Sequence, residues 1–248
     1  MSFSATYLGS SGWLVEFGEV RVLIDPWLKG VLSFPPGPWL IEGRLQKELE
    51  PPDQLDLLVL TQGLADHSHI PSLELLPRSI PVIGSKSASK VVKRLGFESV
   101  TTLSPGDIKQ ICQLEIEATA GASVPNQENG YIISNEIGSI YLEPHGFFDS
   151  KISPRELDAV ITPMVDLKLP MVGDFIQGAR VLPKLISIFK PLTVLASTTG
   201  GDAKFSGLIN SLTRVNATSE KLISEYENQI IFVQPKTGEK YRLKSRNV

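Results

Sequence analysis

Short β-rich runs closed by turns open each half of this 248-residue chain, and helical stretches follow them. Thr6-Tyr7-Leu8-Gly9, Trp13-Leu14-Val15-Glu16-Phe17 and Val20-Arg21-Val22-Leu23-Ile24 read as an antiparallel meander. Leu57-Leu58-Val59-Leu60 is apolar at every position, as a strand covered on both faces must be. Residues 72–76 then predict a short helix, and residues 85–95 a longer one with Ala88, Val91, Val92 and Leu95 on one face. The second half repeats the order. Strands are expected over 111–118, 131–133, 139–142 and 159–161, then a helix over 176–189 and the buried strand Thr193-Val194-Leu195-Ala196. Helical material over 203–212 and a closing hairpin at 230–233 and 241–243 complete the chain. Meanders that precede helices in both halves imply an α/β fold in which two sheets lie between helical layers. The length suits one such domain over residues 1–248.

Composition narrows the functions. Hydrophobic residues make up 42% and charged residues 21%, the balance of an ordinary globular protein. The net charge of -3 gives no basic field, so general nucleic-acid binding is not expected. The first residues, Met1-Ser2-Phe3-Ser4-Ala5-Thr6-Tyr7, lack a basic segment followed by an apolar one, and no stretch approaches the roughly 20 apolar residues of a membrane helix. A cytoplasmic protein without a membrane span is the expectation. The one cysteine, Cys112, begins the alternating run Cys112-Gln113-Leu114-Glu115-Ile116, where it shares a face with Leu114 and Ile116 and reads as a buried structural thiol. Walker-type and Gly-x-Ser-x-Gly loops are absent, which removes support for nucleotide binding and for a serine hydrolase.

Chemistry concentrates in Asp66-His67-Ser68-His69, directly after the apolar strand 57–60. A carboxylate and two imidazoles within four residues can bind a metal; equally, Asp66 or Ser68 could cap a helix with both histidines solvated. The third histidine, His145, follows a second strand in Glu143-Pro144-His145-Gly146. The ordered set of stretches resembles the metallo-β-lactamase superfamily, in its lactonase-like and phospholipase-like branch. Leu57 to His67 is similar to the family's apolar strand running into Thr-His-x-His-x-Asp-His. Gly9-Ser10-Ser11-Gly12-Trp13 and Val22-Leu23-Ile24-Asp25-Pro26-Trp27 resemble its opening hairpins. Ser139-Ile140-Tyr141-Leu142 before Glu143 resembles the strand entering its Gly-Asp-Thr-Gly loop, and Leu169-Pro170-Met171-Val172-Gly173 its late Leu-Pro-x-Gly. The resemblance implies a four-layer αββα sandwich over nearly the whole chain.

It also shows where the chain departs. The family's first two histidines fall on Gln62 and Leu64, its third in Gly121-Ala122-Ser123-Val124, its bridging aspartate on Pro144 beside Glu143, and its last histidine at or near Thr198. Asp66 and His67 alone stand in place. The resemblance therefore implies no ordinary two-metal centre. It brings Asp66, His67, Glu143 and His145 to neighbouring loops, with Asp25 close and with Gln62 and Thr198 lining the same cleft, so that Asp25, Gln62 and Thr198 are expected to bind the substrate. Two readings follow. In one, Asp66, His67, Glu143 and His145 hold a single zinc or iron ion, and Asp66, His67 and His145 serve hydrolysis of a small ester, lactone or phosphoester. In the other, the site is metal-free and catalytically degenerate, and the cleft binds a small ligand or a protein partner. His69 is expected to point away toward the surface.

Residues 33–43 form a loop rich in proline and apolar groups, including Phe34, Trp39, Leu40 and Ile41. Trp39 is expected either in the core, or on a flap over the cleft that touches substrate, or at a contact with a second copy of the chain.

Overall fold

The structure, a computed structural model, describes residues 2–122, 127–170, 173–198 and 203–247. Of the stretches singled out above, residues 123–124 and 171–172 lie outside the described residues.

Two seven-stranded sheets lie face to face. The first contains β1 (Phe3–Gly9), β2 (Gly12–Phe17), β3 (Val20–Ile24), β6 (Leu57–Leu60), β7 (Val82–Gly84) and β8 (Val100–Thr102), with β20 (Lys240–Arg242) added beside β1. The second contains β9 (Ile108–Ile111), β10 (Leu114–Ala120), β11 (Asn129–Ser134), β12 (Ser139–Leu142), β13 (Ala159–Thr162), β16 (Thr193–Ala196) and β19 (Ile231–Val233). Each begins as an antiparallel meander and becomes parallel from the β3–β6 and β12–β13 pairs onward.

The period of two along each strand dictates the layering. Trp13, Val15 and Phe17 of β2, with Val22 and Ile24 of β3, point between the sheets and meet Ile116 of β10, Ile140 of β12 and Ile161 of β13. The alternate residues Leu14, Leu23, Leu58 and Leu60 face outward and are covered by Leu73 of α1 (Ile70–Leu73) and by Ala88 and Val92 of α2 (Lys86–Arg94). On the far side Tyr141, Val160 and Val194 pack under Leu182, Leu185 and Phe189 of α3 (Gly178–Phe189). The four-layer αββα order is thus the physical result of strands that are apolar on both faces.

Two small sheets absent from the sequence reading cover one end of this sandwich. One orders β17 (Ala203–Ser206), β5 (Glu42–Leu45) and β4 (Val31–Ser33); the other orders β15 (Gly173–Gln177), β14 (Val165–Leu169) and β18 (Arg214–Thr218). Residues 203–212 are therefore a strand followed by the one-turn helix α4 (Leu208–Leu212), and the helix expected from 176 begins at 178. A further helix, α5 (Glu220–Tyr226), precedes β19. The loop 33–43 is bounded by β4 and β5, and Trp39 is 61% exposed, outside the core. Cys112 is also corrected: it sits in the β9–β10 turn with φ 50°, partly exposed, because the strand it was read into starts at Leu114.

One close approach fixes the loop that carries His145. The Gln177 N–H donates to the His145 carbonyl at 2.8 Å, and a Cβ on Gly178 would lie 2.1 Å from the Pro163 carbonyl oxygen. No side chain fits there. Gly178→Ala should therefore lower stability by about 1–3 kcal/mol, the range for forced overpacking, read from the midpoint of urea unfolding.

Candidate functional site

The site lies at the strand ends, where the last residues of parallel strands deliver loops to one edge of the sandwich. Asp25 follows β3, Thr61 and Gln62 follow β6, Glu143 and His145 follow β12, and Thr198 follows β16. Glu128 immediately precedes β11, which runs antiparallel to β12, so its strand entry lies at the same edge as the β12 exit.

His67 is the centre. Its turn is closed by Ser68, whose N–H donates to the Leu64 carbonyl at 2.7 Å and whose hydroxyl donates to the Gln62 carbonyl at 2.6 Å. The imidazole is inaccessible to water, and its Nδ1 lies 2.8 Å from Asp25 Oδ2. Asp25 Oδ1 accepts the Thr61 N–H at 2.8 Å, and Oδ2 also accepts the Thr61 hydroxyl. With three donors on this carboxylate, Nδ1 carries the proton and Nε2 is left to face the cleft. There it lies 3.3 Å from Asp66 Oδ2 and 3.7 Å from Glu128 Oε1. Burial disfavours a charged imidazole, yet the carboxylates of Asp66 and Asp25 outweigh it and hold His67 well above the usual histidine range.

His145 approaches from the other sheet. Its ring centroid is 5.1 Å from that of His67, and its Nδ1 lies 2.7 Å from Glu128 Oε2. Glu143, wholly buried, accepts the backbone N–H groups of His145 and Phe147 on Oε2. Burial first, and the neighbouring Glu128 second, push the Glu143 carboxyl well above its ordinary range. Burial also opposes the charge of Glu128, but His145 and then His67 overcome it and lower its pKa. Within the pair, a proton is therefore favoured on Glu143 over Glu128.

These groups form two overlapping donor sets, Asp66–His67–His145 and Glu128–Glu143–His145, each with one atom per residue mutually within 4.8 Å. Asp66 Oδ1, His67 Nε2, Glu128 Oε1 and Glu143 Oε1 are buried and make no hydrogen bond among the described residues. Buried oxygen and nitrogen atoms left in this way need a proton or a cation, and two imidazoles with carboxylates suit zinc or iron. The residues present fit one such ion.

The structure thus brings together Asp66, His67, Glu143 and His145, and it places Gln62, Leu64 and Thr198 on the wall of the adjoining cavity with Asp66 and His145. Three placements differ from the sequence reading. Asp25 does not line the cavity; it is wholly buried behind His67 as its orienting partner. Trp39 does not line the cavity either, since Phe34 and Ile41 of the same loop do. His69 is buried rather than superficial: Nδ1 accepts from the Ser72 hydroxyl at 2.9 Å, Nε2 lies 3.3 Å from the Val31 carbonyl, and the ring meets Trp27 edge-on. Glu128 was missed. It stands in a polar stretch outside every motif, and the available signal was its position at the entry of a strand antiparallel to the one that ends in Glu143.

A sequence profile described as the beta-lactamase superfamily domain matches residues 4–197. The chain belongs to the metallo-β-lactamase superfamily. Among curated relatives, a UPF0173 metal-dependent hydrolase of Methanopyrus kandleri is 26% identical over 200 residues, covering 75% of this chain and 79% of that one. Another UPF0173 metal-dependent hydrolase, from Pyrobaculum islandicum, is 24% identical over 199 residues, covering 76% and 80%. Among solved structures, an isothiocyanate hydrolase from Delia radicum gut bacteria superposes with TM-score 0.71 at 15% identity, covering 98% of this chain and 100% of that one. A metallo hydrolase from Ignicoccus hospitalis superposes with TM-score 0.66 at 16% identity, covering 99% and 100%. No helix among the described residues is long and apolar enough to cross a membrane.

His69 separates packing from site chemistry. His69→Ala removes a buried ring with two polar partners, so it should destabilise the fold by about 2 kcal/mol in urea unfolding. The imidazole resonance of His67 should titrate as in the wild type when followed by NMR; a shifted His67 titration would place His69 in the site.

Proposed function

We propose that the chain is a divergent metal-dependent hydrolase acting on a small ester, lactone or phosphoester, with a single zinc or iron ion. The observation that carries this reading is the pair of overlapping donor sets, Asp66–His67–His145 and Glu128–Glu143–His145, in which buried atoms of Asp66, His67, Glu128 and Glu143 make no hydrogen bond among the described residues. The names of the relatives support it, since these are metal-dependent hydrolases. When bound, such an ion supplies a Lewis acid and a water activated near neutral pH.

The chain's own residues do the rest. Asp25 orients His67 from behind the ring. Gln62 and Thr198 edge the floor, and Thr198 is fixed by donating its hydroxyl to the Pro144 carbonyl at 2.5 Å. Leu64 stands in the same wall where a further ligand would have to be, which argues for one ion rather than two.

A second reading has its own observation. Glu128 already pairs with His145 at 2.7 Å, and burial with Glu128 nearby favours the protonated form of Glu143, so the cluster can balance its charge as a metal-free ligand site.

Elemental analysis of protein purified without chelator should find one equivalent of zinc or iron per chain. Glu128→Gln should weaken binding of that metal by about 10–100-fold, as for losses of ligand-orienting carboxylates, and His67→Asn should abolish it. Two equivalents would refute the single-ion site, and none would leave the metal-free reading.

A further inference from the structure

The acidic floor opens into a cavity of about 940 Å³. That is near the top of the range of about 300–1,000 Å³ that encloses a small organic ligand. The two small sheets build much of its wall, and strand periodicity decides what they present to it. Along β14, Val165, Leu167 and Leu169 line the cavity while Lys168 does not. Along β17, Ala203 and Phe205 line it while Lys204 does not, and on β18 Val215 lines it while Arg214 does not. Residues two apart share a face, so each cation falls on the face turned away, and all three are exposed.

The result is a wall without a lysine or arginine side chain. Among the described residues its charged lining is Asp66 and Asp174, with no lysine or arginine. Arg180 pairs with Asp174 at 2.6 Å and approaches Asp166 at 3.8 Å, and it stays outside the lining. Residues 123–126, 171–172 and 199–202 contribute no lysine or arginine to the sequence. A phosphate monoester placed here would lose water, gain no guanidinium fork or ammonium in return, and face carboxylates. A neutral carbonyl group bears none of that cost, and an aliphatic chain gains from the apolar wall.

We infer that this cavity takes an uncharged carbonyl ester or lactone with an aliphatic body and rejects the phosphorylated counterpart of the same chain length. This rests on the cavity being the substrate site of the proposed hydrolase, and it removes phosphoesters from that reading.

Isothermal titration calorimetry with γ-decalactone and with decyl phosphate tests it on the full chain, as purified and again after treatment with chelator. The lactone should bind at least about tenfold more tightly than the phosphate in both states, because a buried anion without a partner is strongly disfavoured. Leu167→Arg should narrow that ratio at least about tenfold by placing a cation on the wall, whereas Leu167→Gln should not. Should Leu167→Arg fail to fold, the wild-type ratio decides. Equal or tighter binding of decyl phosphate in either state overturns the inference, and so does the absence of lactone binding. The outcome is separable from the metal reading. Protein that holds no metal as purified yet binds the lactone would end the hydrolase and keep the cavity's preference, while protein purified with its metal that prefers the phosphate would do the reverse.

Discussion

Asp25 is a carboxylate with no access to water, at a backbone φ of 41°. It is tolerable only because every donor around it is committed to it: the Thr61 N–H, the Thr61 hydroxyl and the His67 imidazole. Thr61 directly follows β6, and β6 runs parallel to β3, which ends at Ile24 beside Asp25. One side chain therefore ties two neighbouring strand ends and an imidazole together. Removing a partner from a buried pair of this kind costs about 3–5 kcal/mol. That is a large part of the roughly 5–15 kcal/mol by which a domain is stable. The direction of His67 Nε2 is thus set by the sheet, not by the loop on which His67 stands.

That dependence explains what the sequence could and could not reveal. The sandwich was legible because strands such as Leu57–Leu60, apolar at every position, and Thr193–Ala196, apolar over 194–196, are what a sheet covered on both faces requires. Asp66, His67, Glu143 and His145 were legible because each closes or follows such a strand. Glu128 was not, because antiparallel pairing with β12 brings a strand entry to that edge, and pairing is not written in local spacing. The role of Asp25 was blurred for a related reason. A sequence can place it near His67, but only the register of β3 on β6 puts it behind the ring. His69 was misread because its partners, Val31 and Trp27, lie about forty residues upstream in the chain.

The charge balance at the floor is the second constraint. Asp25, Asp66, Glu128 and Glu143 bring four carboxyl groups against the two imidazoles of His67 and His145. A buried excess of carboxylate has to be met by protons or by a cation. The upward shifts of Glu143 and His67 favour meeting it with protons; a metal ion would meet it with charge, and would have to displace such protons to enter. The donor set is poorer in imidazole and richer in carboxylate than the Thr-His-x-His-x-Asp-His loop would provide, so the same fold edge presents a harder, more proton-coupled site.

Floor and wall come from different parts of the chain, and they answer to different physics. The floor stands on the ends of strands locked into the core, and it holds Ser10, Asp25 and Thr198 at φ 50°, 41° and 66°. Such conformations cost about 1–3 kcal/mol each and persist where surrounding structure over-determines them. The packed sandwich does so here. The wall is made of connections: β4 and β5 between β3 and β6, β14 and β15 between β13 and α3, and β17, α4 and β18 between β16 and β19. These strands are short, and their lining and exposed residues alternate. Their pattern needs only apolar side chains on the cavity face, which leaves the opposite positions open to Lys168, Lys204 and Arg214. A substitution in the wall can therefore change what the cavity admits without disturbing the strand ends, whereas a substitution at Asp25 reaches the fold and the chemistry together.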